Sequence, residues 1–290
     1  EGYGPNAPAL LELQRKGANL ILTVDCGVTA YAPLQEAKDA GIEIIVVDHH
    51  AAEPELPPAV AVVNPNRLDD DSGLGHLCAA GVAFLLCVAM LRELRNRGWL
   101  EKAGIRAPDL RNWLDLVALG TVCDVVPLRG LNRAFVTQGL KVMKHRSNIG
   151  MTSLADIAGV NETPSAYHLG YVLGPRVNAG GRVGESFLGT TLLSGENPAE
   201  ALDIARKLDE YNRERKAIED IVLDQAISAV EGKSKVGSMV LVGGDDWHPG
   251  VIGIVASRLK DRYHVPSLVM GLVDGVYKGS ARSVRGIDLW

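Results

Sequence analysis

Aromatic residues are scarce in this sequence, where Phe, Trp and Tyr together make up 5% of 290 residues. Proteins that stack successive bases of a single strand on a broad platform need many aromatic rings on one surface. The composition therefore argues against such a platform. Hydrophobic residues nevertheless reach 47%, which is enough for substantial cores. The sequence indicates an aliphatic α/β protein, and its length predicts about two domains.

The sequence also lacks the cysteine spacings of zinc sites and disulfide frameworks. Its four cysteines, Cys26, Cys78, Cys87 and Cys123, show no CxxC pattern and lie in apolar segments. We interpret them as buried, reduced thiols, which are typical of cytoplasmic proteins. The longest apolar run, Cys78 to Leu91, is shorter than the roughly 20 residues that cross a bilayer. We therefore predict a cytoplasmic protein without a membrane partner.

A large excess of charge of one sign is absent too, because the net charge is only −5. Acidity does not favour nucleic-acid binding. A centre built from carboxylates contributes negative charge by itself, however, and basic residues can still be grouped locally. The net charge therefore does not exclude nucleic-acid binding.

Two short apolar segments each end in candidate metal ligands. Leu20 to Val24 is followed by Asp25, and Ile42 to Val47 is followed by Asp48, His49 and His50. We predict that both are short buried strands. Thr29 to Ala40 between them is predicted to be a helix, with Thr29 as its N-cap and Gly41 as its stop. The right-handed crossover of this βαβ unit brings both strand ends to one edge of the sheet, so Asp25 and His49 should converge.

A third acidic residue, Asp124, follows a helix predicted over residues 109–119. One Asp in such a position is usually a helix cap. Carboxylates and imidazoles at three separated points that the topology brings together instead favour a metal site. This ligand set suits Mn²⁺ or Mg²⁺ better than structural zinc.

The motifs around these residues have counterparts in a known family. They are VDCG at 24–27, DHH at 48–50, GTVCDVVPL at 120–128, GPRVNAGGR at 174–182, WHPGVIGIVASRL at 247–259 and GSARS at 279–283. In this order they resemble the DHH phosphoesterase superfamily, and within it the RecJ family of single-stranded-DNA-specific exonucleases. The resemblance covers nearly the whole chain.

The resemblance implies a two-ion Mn²⁺ or Mg²⁺ centre. Asp25, His49 and Asp124 would be direct ligands. Asp48 would orient its neighbours or bind at a distance, and His50 would face the scissile phosphate as electrostatic stabiliser or proton donor.

Substrate-binding residues are expected in the other motifs. Residues 174–182 can be an ordinary glycine-rich loop, or a flexible backbone that approaches a phosphate with Arg176, Asn178 and Arg182. His248 can be structural or can mark an anion site at a helix N-terminus. Ser280 and Arg282, in GSARS, resemble a phosphate-gripping element.

The expected fold is α/β: a DHH domain with a mainly parallel sheet, joined by a long helix to a smaller α/β domain of the DHHA1 type. We predict domain limits of 1–190, 191–235 and 236–290. The connecting helix should run from Pro198 to Val230. Its middle, residues 212–216, has no apolar face, which predicts a segment that crosses solvent between the domains.

The chain departs from the family at both ends. The resemblance implies an acidic DxDG strand before Glu1 and a GGH segment after Trp290, and neither is in the sequence. We therefore expect a fragment, truncated at both ends, whose own activity is low. The complete protein should be a metal-dependent 5′-to-3′ exonuclease of single-stranded DNA in recombination and repair, with single-stranded-DNA-binding protein and a helicase as possible partners.

Two other functions stay open. One is a DHH-family phosphodiesterase of small nucleotides or nanoRNA, although the GGGH signature usual in those enzymes is absent from the sequence. The other is a catalytically inactive replication scaffold, although such scaffolds lose metal ligands.

Overall fold

The computed structural model describes residues 4–232 and 237–289, which pack into two compact units. The first unit comprises the described residues up to Ser147 together with Glu162–Gly170. The second comprises Asn148–Asn161 together with the described residues from Tyr171 onward. Each unit combines helices with a three-stranded sheet, so the predicted α/β class is confirmed.

A parallel sheet organises the first unit. Its strands are β1 (Leu20–Val24), β2 (Glu43–Val47) and β3 (Ala61–Val63), in that order. Val24 is paired with Val47, and Val47 with Val63, so the three strands end level with one another. Side chains that follow the strands therefore lie at one edge of the sheet.

The crossover from β1 to β2 contains the predicted helix, α2 (Tyr31–Asp39), with Leu34 and Ala37 buried. Its N-cap is Ala30 rather than Thr29, so the predicted cap is wrong. The chain still turns at this point, because the N–H of Ala30 donates to the carbonyl oxygen of Gly27.

Strand β1 is buried on one face only, which corrects the prediction of a buried strand. Ile21 packs with Leu10 of α1 (Ala7–Arg15) and with Leu34. Leu20, Leu22 and Val24 are 48–49% exposed on the other face. Among the described residues β1 is also an edge strand, so it has a neighbour on one side only.

On the face of the sheet opposite to Ile21, helices cover β2 and β3. They are α3 (Ala79–Asn96), α5 (Leu114–Cys123) and α6 (Gly130–Met143), and their core includes Val47, Val82 and Phe135. Helix α4 (Trp99–Lys102) follows α3. A 3-10 turn, Leu110–Trp113, precedes α5 and is capped by Asp109. The regular helix therefore lies further along the chain than the predicted 109–119.

The second unit contains a small mixed sheet and five α-helices in its described part. Strands β4 (Val240–Gly244) and β5 (Ser267–Val273) are parallel, and β6 (Val276–Arg282) is antiparallel to β5. The helices are α7 (Ile149–Ile157), α8 (Gly174–Val183), α9 (Leu188–Ser194), α10 (Pro198–Glu231) and α11 (Pro249–Tyr263). A π-helix, His168–Leu173, precedes α8, and its residues up to Gly170 belong to the first unit. Val222, Ala226 and Val230 of α10 share a core with α11 and the sheet.

The middle of α10 does not cross solvent, which corrects that part of the prediction. Asn212, Arg215 and Glu219 are at most 8% exposed. Arg215 Nη1 lies 2.5 Å from Glu219 Oε2, and Nη2 donates to Asn212 Oδ1 at 3.1 Å. The spacing of these residues continues the buried stripe of the helix with polar side chains. Burial is possible because each charge has a partner.

Residues 174–182 form most of α8, so the predicted glycine-rich loop is wrong. Pro175 stands in the first turn, where proline suits a helix. A Cβ on Gly180 would lie 2.6 Å from the carbonyl oxygen of Glu185 and 3.2 Å from Leu208 Cδ2. The glycine therefore permits close helix packing rather than flexibility.

The predicted domain limits remain a prediction, but the compact units divide the chain elsewhere. Helices α7, α8 and α9 pack on α10, so residues before 190 share a unit with the C-terminal sheet. No helix in the described part of the chain is both long and apolar enough to span a membrane.

Candidate metal centre and anion-binding cluster

Asp25 follows β1 in an unusual backbone conformation. Its φ of +65° lies in the left-handed region, which residues other than glycine seldom adopt. Its N–H donates to the carbonyl oxygen of Val47 at 2.9 Å. Gly27 has φ +113°, and a Cβ there would lie 2.7 Å from Thr23 Oγ1. Such strain persists where surrounding structure imposes it and is typical of functional sites. The turn leaves the Asp25 side chain 61% exposed.

Asp48 follows β2 and is almost fully buried, with 1% exposure. Its Oδ2 accepts from the N–H of Val28 at 3.0 Å. Its Oδ1 accepts from the N–H groups of His49 and His50 at 2.7 and 3.3 Å, and from His50 Nδ1 at 2.7 Å. The carboxylate therefore holds the DHH segment against the start of the α2 crossover. Its oxygens bond to neighbouring residues and are not accessible to a ligand from solution.

The pKa of Asp48 reflects this network. Burial by itself would raise the pKa of the carboxyl, but the hydrogen bonds from His50 and from the backbone N–H groups outweigh it, and the pKa is lowered. Asp48 is thus ionised, and it accepts a hydrogen from His50 Nδ1. His50 is 59% exposed, and its Nε2 remains available.

His49 brings the separate segments together. Its Nδ1 lies 3.0 Å from the carbonyl oxygen of Leu77, which can only accept, so Nδ1 carries a hydrogen. Its Nε2 lies 3.2 Å from Asp25 Oδ1 and 3.6 Å from Asp124 Oδ2. A histidine whose other nitrogen donates to a backbone carbonyl is the usual arrangement of a metal ligand.

Asp124 is the C-cap residue of α5. The next residue, Val125, has φ +59° and is 87% exposed. A β-branched residue in the left-handed region is an outlier. A strained residue therefore adjoins Asp124 just as one occurs at Asp25.

The pKa values show how these charges interact without a bound cation. The hydrogen bond to Asp25 raises the pKa of His49, and the charge of Asp124 adds to this, although burial acts in the other direction. Burial raises the pKa of Asp124, and Asp25 raises it further, while His49 and His50 oppose the change. The two carboxylates therefore both favour the charged form of His49.

The donor set fits a divalent cation. One ligand atom each from Asp25, His49 and His50 lies within 4.8 Å of the others, and Asp124 approaches the same nitrogen of His49. A cation there would pair with both carboxylates and relieve the repulsion between them. Oxygen and imidazole donors suit Mn²⁺ and Mg²⁺.

The cysteines beside these acids do not belong to the donor set. Burial raises the pKa of Cys123 to about 11, with Asp124 as a further cause. Burial and the charges of Asp48 and Asp25 raise the pKa of Cys26. Both thiols are therefore protonated at neutral pH, whereas a metal-binding cysteine is a thiolate. All four cysteines are free.

Sequence reasoning missed two asparagines that hold the DHH segment. Asn64 Nδ2 donates to the carbonyl oxygen of His50 at 2.9 Å, and Asn66 Nδ2 donates to that of His49 at 2.5 Å. Asn64 Oδ1 accepts from the N–H of Asn66 at 2.8 Å. Their position directly after the third parallel strand was the available signal.

Two of the predicted substrate-binding residues differ sharply in availability. Arg176 Nε donates to Asp209 Oδ1 at 2.9 Å and Nη1 to the carbonyl oxygen of Val172 at 2.7 Å, and its side chain is only 17% exposed. Arg176 therefore stabilises the packing of α8 against α10. Asn178 is exposed on α8.

Arg182 and His248 meet at the N-terminus of α11. His248 is the N-cap, and its Nδ1 accepts from the N–H of Gly250 at 3.1 Å. Arg182 Nη1 donates to the carbonyl oxygen of Gly250 at 3.2 Å. A Cβ on Gly250 would lie 2.2 Å from the carbonyl oxygen of Arg182, so only glycine permits this approach.

Ser280 and Arg282 of β6 lie beside Gly253, one turn further along α11. A Cβ on Gly253 of α11 would lie 3.0 Å from Ser280 Oγ and 3.2 Å from Arg282 Nη2. Arg282 Nη1 donates to Ser280 Oγ at 3.0 Å. The first turns of α11 therefore gather Arg182, His248, Ser280 and Arg282 beside a helix N-terminus, which favours anions.

Comparison with known families identifies both parts of the chain. The DHH family, N-terminal domain, matches residues 3–121, and the DHHA1 domain matches residues 232–289. Among curated proteins, the single-stranded-DNA-specific exonuclease RecJ of Salmonella typhimurium is 40% identical over all of this chain and 51% of its own length. RecJ of Escherichia coli is 39% identical with the same coverage.

Solved structures agree with this assignment. The crystal structure of exonuclease RecJ bound to manganese has a TM-score of 0.82 and 33% identity, covering 100% of this chain and 69% of that one. RecJ from Thermus thermophilus in complex with Mn²⁺ has a TM-score of 0.80 and 33% identity, covering 97% and 40%. The chain spans about half the length of the curated relatives named above. It belongs to the RecJ family of DHH proteins.

Proposed function

We propose that this chain carries the active site of a metal-dependent exonuclease that hydrolyses single-stranded DNA from the 5′ end. The observation that carries the proposal is the meeting of Asp25, His49 and Asp124 at one edge of the sheet. The RecJ relatives are described as single-stranded-DNA-specific exonucleases, and related structures contain Mn²⁺ or Mg²⁺. We extend both properties to this chain.

In this proposal Asp25, His49 and Asp124 hold Mn²⁺ or Mg²⁺, in a two-ion site when the complete set of ligands is present. Bound ions supply a water of lowered pKa and neutralise charge on the phosphate. The chain's own contribution is the geometry: the Leu77 carbonyl fixes the His49 tautomer, and the two strained turns aim the carboxylates at Nε2.

His50 acts on the scissile phosphate. Asp48 accepts the hydrogen on Nδ1 at 2.7 Å, so the ring is held with Nε2 turned away from the buried carboxylate. A protonated His50 stabilises charge on the phosphate oxygens or gives its proton to the leaving oxygen. Asp48 itself is a positioning residue.

The cluster at α11 binds the 5′-terminal phosphate. A terminal phosphate carries more charge than an internal one, so the guanidinium of Arg282, the Ser280 hydroxyl and the helix N-terminus can select it. Arg182 and His248 border the same turn. Asn178 is a further contact in this proposal. Arg176 supports α8 through Asp209 instead of binding substrate.

The wider setting is also proposed from the family. The protein acts in the cytoplasm in recombination and repair, with single-stranded-DNA-binding protein and a helicase as partners. In the described part of the chain, β1 has a strand neighbour on one side only, and its other edge suits pairing with an acidic DxDG strand of the kind that the family resemblance implies.

The test is cleavage of single-stranded DNA by the longest native form of the protein that contains this chain. With Mn²⁺ present, the protein should degrade 5′-labelled single strands and leave duplexes intact, and His49→Ala and Asp124→Asn should abolish the reaction. Preference for dinucleotides over long strands would instead indicate a phosphodiesterase of small nucleotides. Metal binding without cleavage of either substrate would indicate a scaffold.

A further inference from the structure

A buried asparagine outside the sequence motifs of the metal centre connects two segments that carry the centre. Asn132, in the first turns of α6, is fully buried. Its Nδ2 donates to two backbone carbonyls, His76 O at 2.6 Å and Pro127 O at 3.0 Å. Both hydrogens of the amide are therefore used, and they connect two segments that are far apart in sequence.

Each of these carbonyls stands next to a part of the centre. His76 precedes Leu77, whose carbonyl accepts from His49 Nδ1. Pro127 lies three residues after Asp124, on the far side of the strained Val125. One amide thus holds the segment that orients His49 and the segment that carries Asp124.

The unused atom of the same side chain supports this interpretation. Asn132 Oδ1 is buried and has no hydrogen-bond partner among the described residues. A buried acceptor without a partner is unfavourable. The amide orientation is nevertheless determined, because a flip would point the oxygen at two carbonyl oxygens. A leucine of similar size would avoid the orphan oxygen but could donate to neither carbonyl.

We propose that Asn132 is a positioning residue of the metal centre, which sets the distance between the His49 imidazole and the Asp124 carboxylate by joining their supporting loops. The inference rests on the proposed function, because it assumes that these two side chains hold a cation. Asn132 itself does not contact the ion or the substrate. Partners bonded directly to metal ligands typically change metal affinity 10- to 100-fold when they are removed, and Asn132 acts on the backbone that carries such a partner, Leu77.

The test is Mn²⁺ binding by the chain, measured by EPR of free Mn²⁺ at a temperature where every variant is folded. Asn132→Asp keeps the size of the side chain but cannot donate to both carbonyls. The dissociation constant should rise about tenfold or more. In the metal-free chain, at a pH where His49 is neutral, its ¹⁵N shifts should also show a smaller share of the Nδ1–H tautomer. A variant that only loses folding stability would leave the tautomer ratio of His49 unchanged.

Asn148→Asp is the matched control. Asn148 Nδ2 donates to the carbonyl oxygen of Leu193 at 3.0 Å in the second unit, and its Oδ1 caps α7. The substitution removes one donor and keeps the cap, so Mn²⁺ affinity should stay within about twofold of wild type, below the range for metal-orienting partners. If Asn132→Asp does not fold, Asn132→Ser, which is smaller and reaches at most one carbonyl, takes its place.

The outcomes separate the two proposals. Unchanged Mn²⁺ affinity and an unchanged His49 tautomer in the folded Asn132 variant overturn the positioning role. If wild type binds Mn²⁺ no better than His49→Ala, the proposed metal centre itself fails. Weaker binding in the Asn132 variant alone, with the control unaffected, supports the role.

Discussion

Replacing Asp48 by asparagine should loosen the sheet of the first unit. The buried carboxylate accepts from Val28, from the backbone of His49 and His50, and from His50 Nδ1. An amide has one acceptor oxygen, so its NH₂ group must oppose a donor that Asp48 now satisfies. Leaving a buried donor unpaired costs about 1–3 kcal/mol, and loss of the charge weakens the other bonds by about 1 kcal/mol. We expect a loss of about 2–4 kcal/mol.

Native-state hydrogen exchange at pH 7 measures this loss. Since about 1.4 kcal/mol is a factor of ten, protection of amides in β1 and β2 should fall roughly 30- to 1000-fold. Asp70→Asn is the control, because Asp70 is exposed and accepts from the Ser72 N–H at 2.9 Å. Its effect should stay within about 0.5 kcal/mol. Equal effects of the two substitutions would refute the reasoning.

The pH dependence has a defined sign. The pKa of Asp48 is lowered in the folded chain from its ordinary value of 3.8. The stability it contributes is therefore complete above that value and is lost as the pH falls through the lower, folded-state pKa. The difference between wild type and Asp48→Asn should shrink below about pH 4, and a difference that grows on acidification would contradict this account.

Other predictions concern the two sites and the packing of the helices. In the longest native form, Arg282→Ala should lower kcat/KM for 5′-phosphorylated strands by the equivalent of about 1.5–3 kcal/mol of activation free energy. The kcat/KM for 5′-hydroxyl strands should fall less, and equal losses would mean that Arg282 contacts the DNA backbone in general rather than the terminal phosphate. Gly253→Ala, whose Cβ would lie 3.0 Å from Ser280 Oγ, should produce a smaller loss of the same kind in that assay. In the metal-free chain an NMR titration should find the pKa of His49 above 6.5, and Asp25→Asn should lower it, because the hydrogen bond to Asp25 is the largest cause of the raised value. Gly139→Ala, whose Cβ would lie 2.1 Å from the carbonyl oxygen of Leu114, should destabilise the first unit by about 1–3 kcal/mol in urea unfolding.

Local sequence signals were sufficient for the elements that carry the centre. The apolar segments before Asp25 and Asp48 became parallel strands, and the crossover between them fixed which edge of the sheet the ligands share. Helix α10 begins at the predicted Pro198 and ends at Glu231, one residue beyond the predicted Val230. Apolar residues at helical spacing before and after its polar middle were the signal. These features depend on neighbours in sequence.

The errors arose where distant contacts decide. Glycines at 174–182 suggested a loop, but Gly180 is required by the close approach of Glu185 and Leu208. The polar middle of α10 suggested exposure, but Arg215 and Glu219 neutralise each other when buried. Asn64 and Asn66 were overlooked because the short strand before them, β3, was not predicted. Asn132 was overlooked because a helix asparagine that bonds to a remote carbonyl resembles any other helix asparagine in sequence.

The central claim is that Asp25, His49 and Asp124 together hold a divalent cation. Crystals of the protein soaked in MnCl₂, with diffraction data collected at the manganese absorption edge, test it most directly. The account predicts an anomalous peak within coordination distance of His49 Nε2 and of carboxylate oxygens from Asp25 and Asp124. A well-ordered site without a peak, or a peak whose ligands exclude His49, would contradict it.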